Sequence, residues 1–555
     1  MNDRLTEKKT VLFGLVGVAA CVVATESSAV SDIVIDRPSL ELRALQRDVE
    51  QRRAEKNIER LRERDIQTKD IPAHENETAA TGMEFTLRKL RHTPSLVLTD
   101  EEFDRAVEPW IGKRIKTGEL GTVLNAINRL YAEKGYVVCQ AALEPQRIHN
   151  GELTITLIEG VTDAVTIAGN ETTRDGFVRG AVSLEPGRVA NYSEMIEELV
   201  RFNMTNDVAM KIDITPGSKP ETTSYRLDVE EPPLWAGAVF ADSMGSDNTG
   251  RGRVGASIQN RSLFGFRDSL SLLGMASEGN KSAMLSYSVP LTRYGTRLSL
   301  SGSYGEVEIV DGPSETLALD IEGDSLLASV KIEHPFRVND RERWTAWVEI
   351  SHQEAETDMH RNLSLSDNTI DAYTLGVNAV WLGEKTVVSA GTSISDRHSE
   401  EKNFERKRTA ALWSGFLDSR YYVETGATLA LGARWQTRVD GETISSDYFY
   451  LGNSSGVRGY DNDLLWAPSG FTVSAEATVP LMEKRSIFFF ADAGRLAGRP
   501  STQTRSLYSV GTGVNWNFFE GADMRLTVAV PLNRDRIEDD HVDKVRVDAV
   551  GTLAF

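Results

Sequence analysis

The residues best suited to a strong buried contact are an arginine and an aspartate late in the chain. Asp492 shares one face of a predicted strand with Phe490 and Gly494, because these three residues are two positions apart. Arg458 stands in a turn-rich connection, residues 439–469. A guanidinium binds both oxygens of a carboxylate, so a connection folded back onto this strand would give a two-point contact. A connection that stays in solvent is the alternative.

The sequence shows no pattern that is typical of catalysis or of a bound cofactor. The eight histidines are scattered and form neither a His-Glu-x-x-His motif nor a Cys-His cluster. Residues 250–255 match a dinucleotide-binding fingerprint, but they precede a predicted strand and are interpreted as turn glycines. The formal net charge of −20 disfavours nucleic acid as a partner. We predict a non-enzymatic protein with no catalytic residues, no metal ligands and no cofactor.

Residues 1–29 are predicted to be an export signal. Basic residues precede an apolar run, residues 11–24, that suits the core of a signal peptide and is too short to span a bilayer. Cleavage is expected after Ala24 or Ala29. Lipidation of Cys21 is the alternative.

Residues 39–65 are predicted to form one long helix. The segment contains no Gly or Pro, and its many charges leave only a narrow, interrupted apolar stripe. Such a helix is either solvated, as in a weak coiled coil, or placed in a polar, water-filled channel. Residues 66–82 follow as a polar linker.

Two tandem modules with the order strand, helix, helix, strand, strand are predicted over residues 83–160 and 161–233. In the first, Thr99 and Glu102 form a capping box ahead of a helix, and Asn150-Gly151 indicates a hairpin. The second module repeats the order of elements with different residues.

The rest of the chain alternates between apolar and polar residues in segments separated by turns. In residues 282–291, 297–304 and 471–481, apolar side chains occupy every second position. A tilted spanning strand needs about ten residues, and about 16 such segments fit into residues 234–555. We therefore predict an all-β transmembrane barrel of antiparallel strands, with a soluble sandwich as the alternative. The last segment ends on Phe555.

These features together resemble the outer-membrane transporters of two-partner secretion (the TpsB family of the Omp85 superfamily). That group includes the exporters of haemolysin, filamentous haemagglutinin and contact-dependent-inhibition proteins. Two short motifs resemble the sixth outer loop of the superfamily and its partner strand, namely Val457, Arg458, Gly459 and Tyr460, and then Phe490, Asp492 and Gly494. The two modules resemble polypeptide-transport-associated (POTRA) domains, and the helix at 39–65 resembles the plug helix of the family. Asn453 departs from the family pattern, which has glycine there.

The resemblance implies that the POTRA domains lie in the periplasm and capture a large, unfolded secreted exoprotein. The barrel then exports that partner through the bacterial outer membrane. Outer-membrane lipids and the barrel-assembly machinery are further implied partners, with Phe555 as the C-terminal insertion signal. The alternative is an outer-membrane protein assembly insertase of the same superfamily, although insertases usually carry more POTRA domains and lack the helix.

Overall fold

The computed structural model describes residues 37–43, 45, 75–79, 81–312, 314–360, 363–498, 505–534 and 542–555. The predicted export signal and most of the predicted helix at 39–65 lie outside these residues. Within them, no helix combines the length and the apolar character needed to cross a bilayer.

The first module packs two helices on short strands. Its first helix begins at the predicted capping box, where Thr99 accepts a hydrogen bond from the Glu102 amide and Glu102 accepts one from the Thr99 amide. A hydrogen bond from Lys134 to Glu102 lowers the pKa of that carboxyl to about 2. The elements are β1 (Glu84–Thr86), β2 (Lys89–His92), α1 (Asp100–Val107), β3 (Arg114–Lys116), α2 (Leu120–Glu133), β4 (Gln140–Ala142) and β5 (Glu152–Ile158).

Two details of this module differ from the sequence-based expectation. The β-rich sequence of residues 136–143 predicts a strand over this whole range, but the amide of Cys139 donates to the carbonyl of Tyr136 in a turn, so β4 is shorter. Residues 75–79, expected to belong to a linker, lie against α2, where the Asn76 amide donates to Asn125 at 2.7 Å.

The second module has the same sheet topology as the first. Its last strand lies between a parallel neighbour and an antiparallel one, as β5 lies between β2 and β4. The elements are β6 (Val161–Ala168), α3 (Asp175–Arg179), α4 (Tyr192–Thr205), β7 (Ala209–Pro216) and β8 (Thr222–Glu230).

The second module is joined to residues 261–268. These residues form the turn between the second and third strands of the region 234–555 and are here named the inner turn. The amide of Arg174 donates to the carbonyl of Gly265 at 2.9 Å, and the Arg174 guanidinium lies 4.5 Å from the ring centre of Phe266. From the same turn, Arg267 binds Asp207 with both ends of its guanidinium, with Nε 2.9 Å from Oδ1. The module is therefore held to this turn by main-chain, stacking and ionic contacts.

Within the described residues, sixteen antiparallel strands form a closed barrel, which confirms the predicted fold class. Two further short strands, Phe449–Leu451 and Leu465–Ala467, pair with each other inside a connection. The strands are β9 (Trp235–Asp242), β10 (Arg253–Asn260), β11 (Ser269–Ala276), β12 (Asn280–Pro290), β13 (Arg297–Glu308), β14 (Ile321–Val338), β15 (Glu342–Met359), β16 (Leu363–Leu382), β17 (Thr386–Glu401), β18 (Arg406–Tyr422), β19 (Thr428–Gly441), β20 (Phe449–Leu451), β21 (Leu465–Ala467), β22 (Ser469–Met482), β23 (Arg485–Ala497), β24 (Ser506–Phe519), β25 (Ala522–Pro531) and β26 (Arg546–Ala554); a short helix, α5 (Ser314–Leu317), precedes β14.

Alternation along the strands separates a lipid face from the lumen. In β12, Leu285 is exposed on the outside while Ser282 and Ser286 are buried on the inside. In β23, Phe489 is exposed whereas Phe490 and Asp492 are buried. Because a spanning strand needs an apolar side only toward lipid, the period of two leaves the other side free for polar residues.

Candidate functional site

The connection between β19 and β22, residues 442–468 and here named the inner loop, folds back into the barrel. It carries β20 and β21 and packs its apolar side chains against the inner wall. Val457 and Leu451 are fully buried and share one cluster with Leu496 of β23 and Leu507 of β24. The burial of these residues on the lumen side of the wall places the predicted motif loop inside the barrel.

Arg458 and Asp492 meet as a two-point contact. Arg458 Nε lies 2.8 Å from Asp492 Oδ2, and Nη2 lies 2.9 Å from Oδ1. The backbone amide of Arg458 donates to the same carboxylate at 3.1 Å. Asp492 is 3% exposed, so this carboxylate depends on Arg458 for much of its compensation. The geometry is the bidentate one that a planar guanidinium favours.

The same guanidinium has further partners on the wall. Arg458 Nη1 lies 2.6 Å from Glu476 on β22, and Glu476 is also 2.7 Å from Arg525 on β25. The guanidinium lies 3.6 Å from the ring centre of Phe490. Arg458 thus links an alternating series of charges whose wall members lie on three barrel strands, β22, β23 and β25.

The small and aromatic residues of the two motifs have steric roles. A Cβ atom at Gly494 would lie 2.7 Å from Leu451 and 3.0 Å from Val457, so glycine allows the inner loop to pack on β23. Gly459 has a φ of 93°, which a side chain would strain, and it directs the chain along the wall at Ala529.

Tyr460 fixes the far end of the motif to the next strands. It is 1% exposed, and its hydroxyl lies 2.7 Å from the carbonyl of Tyr508 and 2.6 Å from Asn533 Oδ1. A buried phenol needs a hydrogen-bond partner, and here the partners come from β24 and from the segment after β25.

A second anchor of the inner loop lies where the barrel closes, at the junction of β26 with β9, here named the seam. The seam has five residue pairs in register, whereas the adjoining ladders of β9 with β10 and of β25 with β26 have eight each. Its inner end is extended by the last residue, since Gly237 and Phe555 exchange backbone hydrogen bonds of 2.8 and 2.9 Å. The Phe555 ring covers Gly237 so closely that a Cβ there would lie 2.4 Å from it.

At the outer end of the seam, the inner loop contacts both sides. Asp461 lies 2.5 Å from Nη1 of Arg546 on β26, whose side chain is 1% exposed. Asn462 donates to the carbonyl of Met244, just after β9, at 2.7 Å. Asn453, at the position where the family has glycine, lies 3.4 Å from Asp548 on β26. Together these residues tie the two seam strands through the loop.

The described part of the predicted plug helix, residues 39–43 and 45, is helical, and so are residues 37 and 38 just before it. Leu42 and Leu45 are buried in a cluster whose other members lie on the barrel wall: Phe240, Met275, Met284 and Leu327. This part of the chain therefore lies in the lumen, and of the two interpretations of the charged helix, its contacts fit the channel.

The polar side chains of this helical segment are anchored to the inner loop and to the wall. Glu41 accepts hydrogen bonds from Thr249 at 3.0 Å and from Asn280 at 3.1 Å. Arg43 donates to Gln353 at 2.8 Å and lies 3.2 Å from Asp447 of the inner loop.

Sequence reasoning did not find Glu476, Asp461 or Arg546. Glu476 carried a signal, because it is a charge on the inward side of an otherwise small and polar strand face. Asp461 and Arg546 carried none, since neither lies in a recognisable motif and they are far apart in the chain. Among the described residues, no group of three or more His, Cys, Asp or Glu side chains is placed to hold a metal ion.

We expect Arg458→Ala to weaken the attachment of the inner loop without preventing barrel insertion. Loss of the partner of a buried carboxylate costs about 3 kcal/mol, so the barrel should unfold at a lower temperature in a gel-based heat-modifiability assay. Secretion of the partner should fall while the amount of inserted protein is maintained. The control is Arg485→Ala, which removes an arginine at the start of β23, the strand that carries Asp492. Complete loss of inserted protein would instead make the pair a folding element.

We expect the double variant Asp461→Ala/Asn462→Ala to loosen the seam. Loss of these contacts should lower the unfolding temperature of the barrel by about 5 °C, for a cost of about 3 kcal/mol. A disulfide across the seam, from Ala238→Cys and Ala554→Cys, should restore that temperature, because these residues are paired there. A disulfide between β9 and β10, from Val239→Cys and Ala256→Cys, should not. Equal rescue by both disulfides would contradict a role at the seam.

Comparison with known proteins agrees with this architecture. The model of the family described as haemolysin secretion/activation protein ShlB/FhaC/HecB matches residues 222–516, and that of the ShlB-type POTRA domain matches residues 85–160. The heme/hemopexin transporter protein HuxB of Haemophilus influenzae is 24% identical over 539 residues, which cover 91% of this chain and 93% of that protein.

Two solved structures share the fold. CdiB from Escherichia coli superposes with a TM-score of 0.69 at 19% identity, covering 94% of this chain and 98% of that one. CdiB from Acinetobacter baumannii superposes with a TM-score of 0.65 at 18% identity, covering 94% and 99%.

The family match spans more than half of the chain and includes both motifs of the inner loop and its partner strand. It confirms the predicted resemblance. The chain therefore belongs to the haemolysin secretion/activation family ShlB/FhaC/HecB, the outer-membrane transporters of two-partner secretion.

Proposed function

We propose that this transporter captures its secreted partner unfolded, on the POTRA modules, and threads it through the barrel to the cell surface or the medium. The observation that carries the proposal is the direct attachment of the second POTRA module to an inner turn of the barrel. A segment bound to that module is already beside the lumen.

Capture uses the edge of the second POTRA sheet. β7 is an edge strand of the sheet β6-β8-β7, and Ile214 on it is 38% exposed. An extended segment of the partner pairs with this edge through main-chain hydrogen bonds, which place few demands on the side chains of the partner. An unfolded chain of varied sequence can bind in this way.

Transport requires the helical segment at residues 37–45 to leave the lumen. Water can replace the polar and charged contacts of the segment when it withdraws, whereas the apolar contacts of Leu42 and Leu45 must be given up. The inner loop stays attached through Arg458 and Asp492 and keeps the wall in its working shape. No nucleotide is needed, because folding of the partner outside the cell supplies the direction of movement.

The remaining implied partners concern the barrel itself. Lipids of the outer membrane cover the exposed apolar side chains of the strands, such as Leu285 and Phe489. The barrel-assembly machinery recognises the terminal strand that ends in Phe555. The exported protein is identified as the one that is missing from the culture supernatant when the transporter is deleted.

Deletion of this protein should remove one large protein from the culture supernatant. Quantitative proteomics of supernatants and outer membranes with and without the transporter measures this. Complementation with the wild-type chain restores the missing protein, and an unrelated barrel of similar size is the control. General depletion of outer-membrane barrels would instead identify an assembly insertase.

Removal of the helix should open the pore. Deletion of residues 39–65 should raise ion conductance in planar bilayers, and Glu41→Ala/Arg43→Ala should raise the open fraction about tenfold for a loss of about 1.4 kcal/mol of anchoring. The matched control is Glu400→Ala/Lys407→Ala, which removes an exposed ion pair of the barrel. Unchanged conductance after the deletion would refute a plug.

A further inference from the structure

A cavity of about 290 Å³ lies at the inner mouth of the lumen, between the end of α4 and the wall. It has room for several water molecules or for one or two side chains of a passing chain. Thr205 and Asp207 of the second POTRA module line one side, and lumen-facing residues of β10, β11 and β13 to β16 line the other. The cavity therefore lies between the POTRA module and the pore.

The cavity has an excess of positive charge. It is lined by four arginines and two carboxylates, namely Arg261, Arg267, Arg297, Arg343, Asp207 and Glu333. This balance is opposite to that of the whole chain, whose formal net charge is −20. Charges in a partly enclosed cavity act more strongly on a ligand than charges in bulk water.

Two of these arginines hold the POTRA module in place. Arg267 binds Asp207, which neutralises both charges. Arg343 donates to the carbonyl of Met204 at the end of α4, where a cation is favoured by the helix dipole. These two residues are accounted for by the joint between the module and the barrel.

The other two arginines form no ion pair with a carboxylate within the described residues. Arg297 donates to the hydroxyl of Ser288 at 3.2 Å and to the carbonyl of Arg267 at 3.1 Å, both neutral acceptors. The side chain of Arg261 makes no hydrogen bond or ion pair with any residue in the described part of the chain. Glu333 faces Arg297 across the ladder and attracts its guanidinium, but the two form no close ion pair within the described residues.

We propose that Arg261 and Arg297 bind acidic side chains of the exported polypeptide as it passes from the POTRA module into the lumen. This proposal rests on the proposed function and adds a chemical preference to it. The ligand is an aspartate or glutamate side chain, because a guanidinium binds a carboxylate at two points and the cavity holds no more than small groups. Each contact is weak enough in the presence of water and salt to be exchanged for the next.

The test is the binding of fluorescent hexaglutamate to the purified full chain, measured by anisotropy and compared with hexaglutamine. We expect hexaglutamate to bind at least about tenfold more tightly, and Arg261→Gln/Arg297→Gln to remove that difference. Raising the salt from about 50 mM to about 500 mM should weaken the binding, since it screens charge. Arg261→Lys/Arg297→Lys keeps the charge and should retain part of the preference.

Arg341→Gln is the matched control, because Arg341 lies in the turn before β15 and its side chain is 82% exposed. It should leave hexaglutamate binding unchanged. An unchanged heat-modifiability pattern of the Gln variants shows that they are folded. In cells, the double Gln variant should export less partner at an equal amount of inserted barrel.

Equal binding of hexaglutamate and hexaglutamine would overturn the proposal, as would full binding by the folded double Gln variant. Displacement of hexaglutamate by an equal concentration of inorganic phosphate would also overturn it, because the cavity would then be a general anion site. Failure of the proposed function has a different signature: the supernatant would be the same with and without the wild-type transporter, whatever the peptide binding.

Discussion

A β-sheet in a bilayer has no water to satisfy unpaired backbone groups, so both of its edges must be joined. In this protein the join is the shortest ladder of its neighbourhood, with five residue pairs between β26 and β9. The last residue, Phe555, lengthens it at one end by exchanging backbone hydrogen bonds with Gly237. At the other end the inner loop contacts both strands through Asp461 and Asn462. Both sides of the seam are thus contacted by a loop that lies, in sequence, between β19 and β22.

The inner loop serves this closure and at the same time contacts the helical segment in the lumen. Asp447 lies 3.2 Å from Arg43 of the helix and 2.6 Å from Arg397 of β17. Asp463, two residues after Asp461, lies 3.5 Å from Arg37. Withdrawal of the helix would therefore leave loop carboxylates to be compensated by the wall or by water. The position of the helical segment and the attachment of the inner loop are therefore coupled, because the loop carboxylates Asp447 and Asp463 contact arginines of the helical segment.

At the POTRA end of the molecule, a fixed joint lies beside an open sheet edge. The second module is fixed to the barrel by Arg267 and Asp207 and by the end of α4, while its sheet keeps an open edge at β7. A rigid joint beside an available edge suits a protein that must deliver an extended chain to one place. The excess of guanidinium groups in the cavity below that joint gives the delivery point a charge opposite to that of the chain as a whole.

The period of two along each strand is local, and it determined the barrel, because the two faces of a strand must meet lipid and lumen whatever their partners are. Capping and turn residues such as Thr99, Glu102 and Gly151 likewise determined the POTRA elements within a few positions. The spacing of residues and the resemblance to family motifs predicted the contact between Arg458 and Asp492. Only the tertiary structure decided that Asp461 meets Arg546 and that Arg43 meets Asp447, which are 404 positions apart. These pairs form when the sheet closes and the chain returns into its own lumen, and no local pattern of residues encodes which charges then become neighbours.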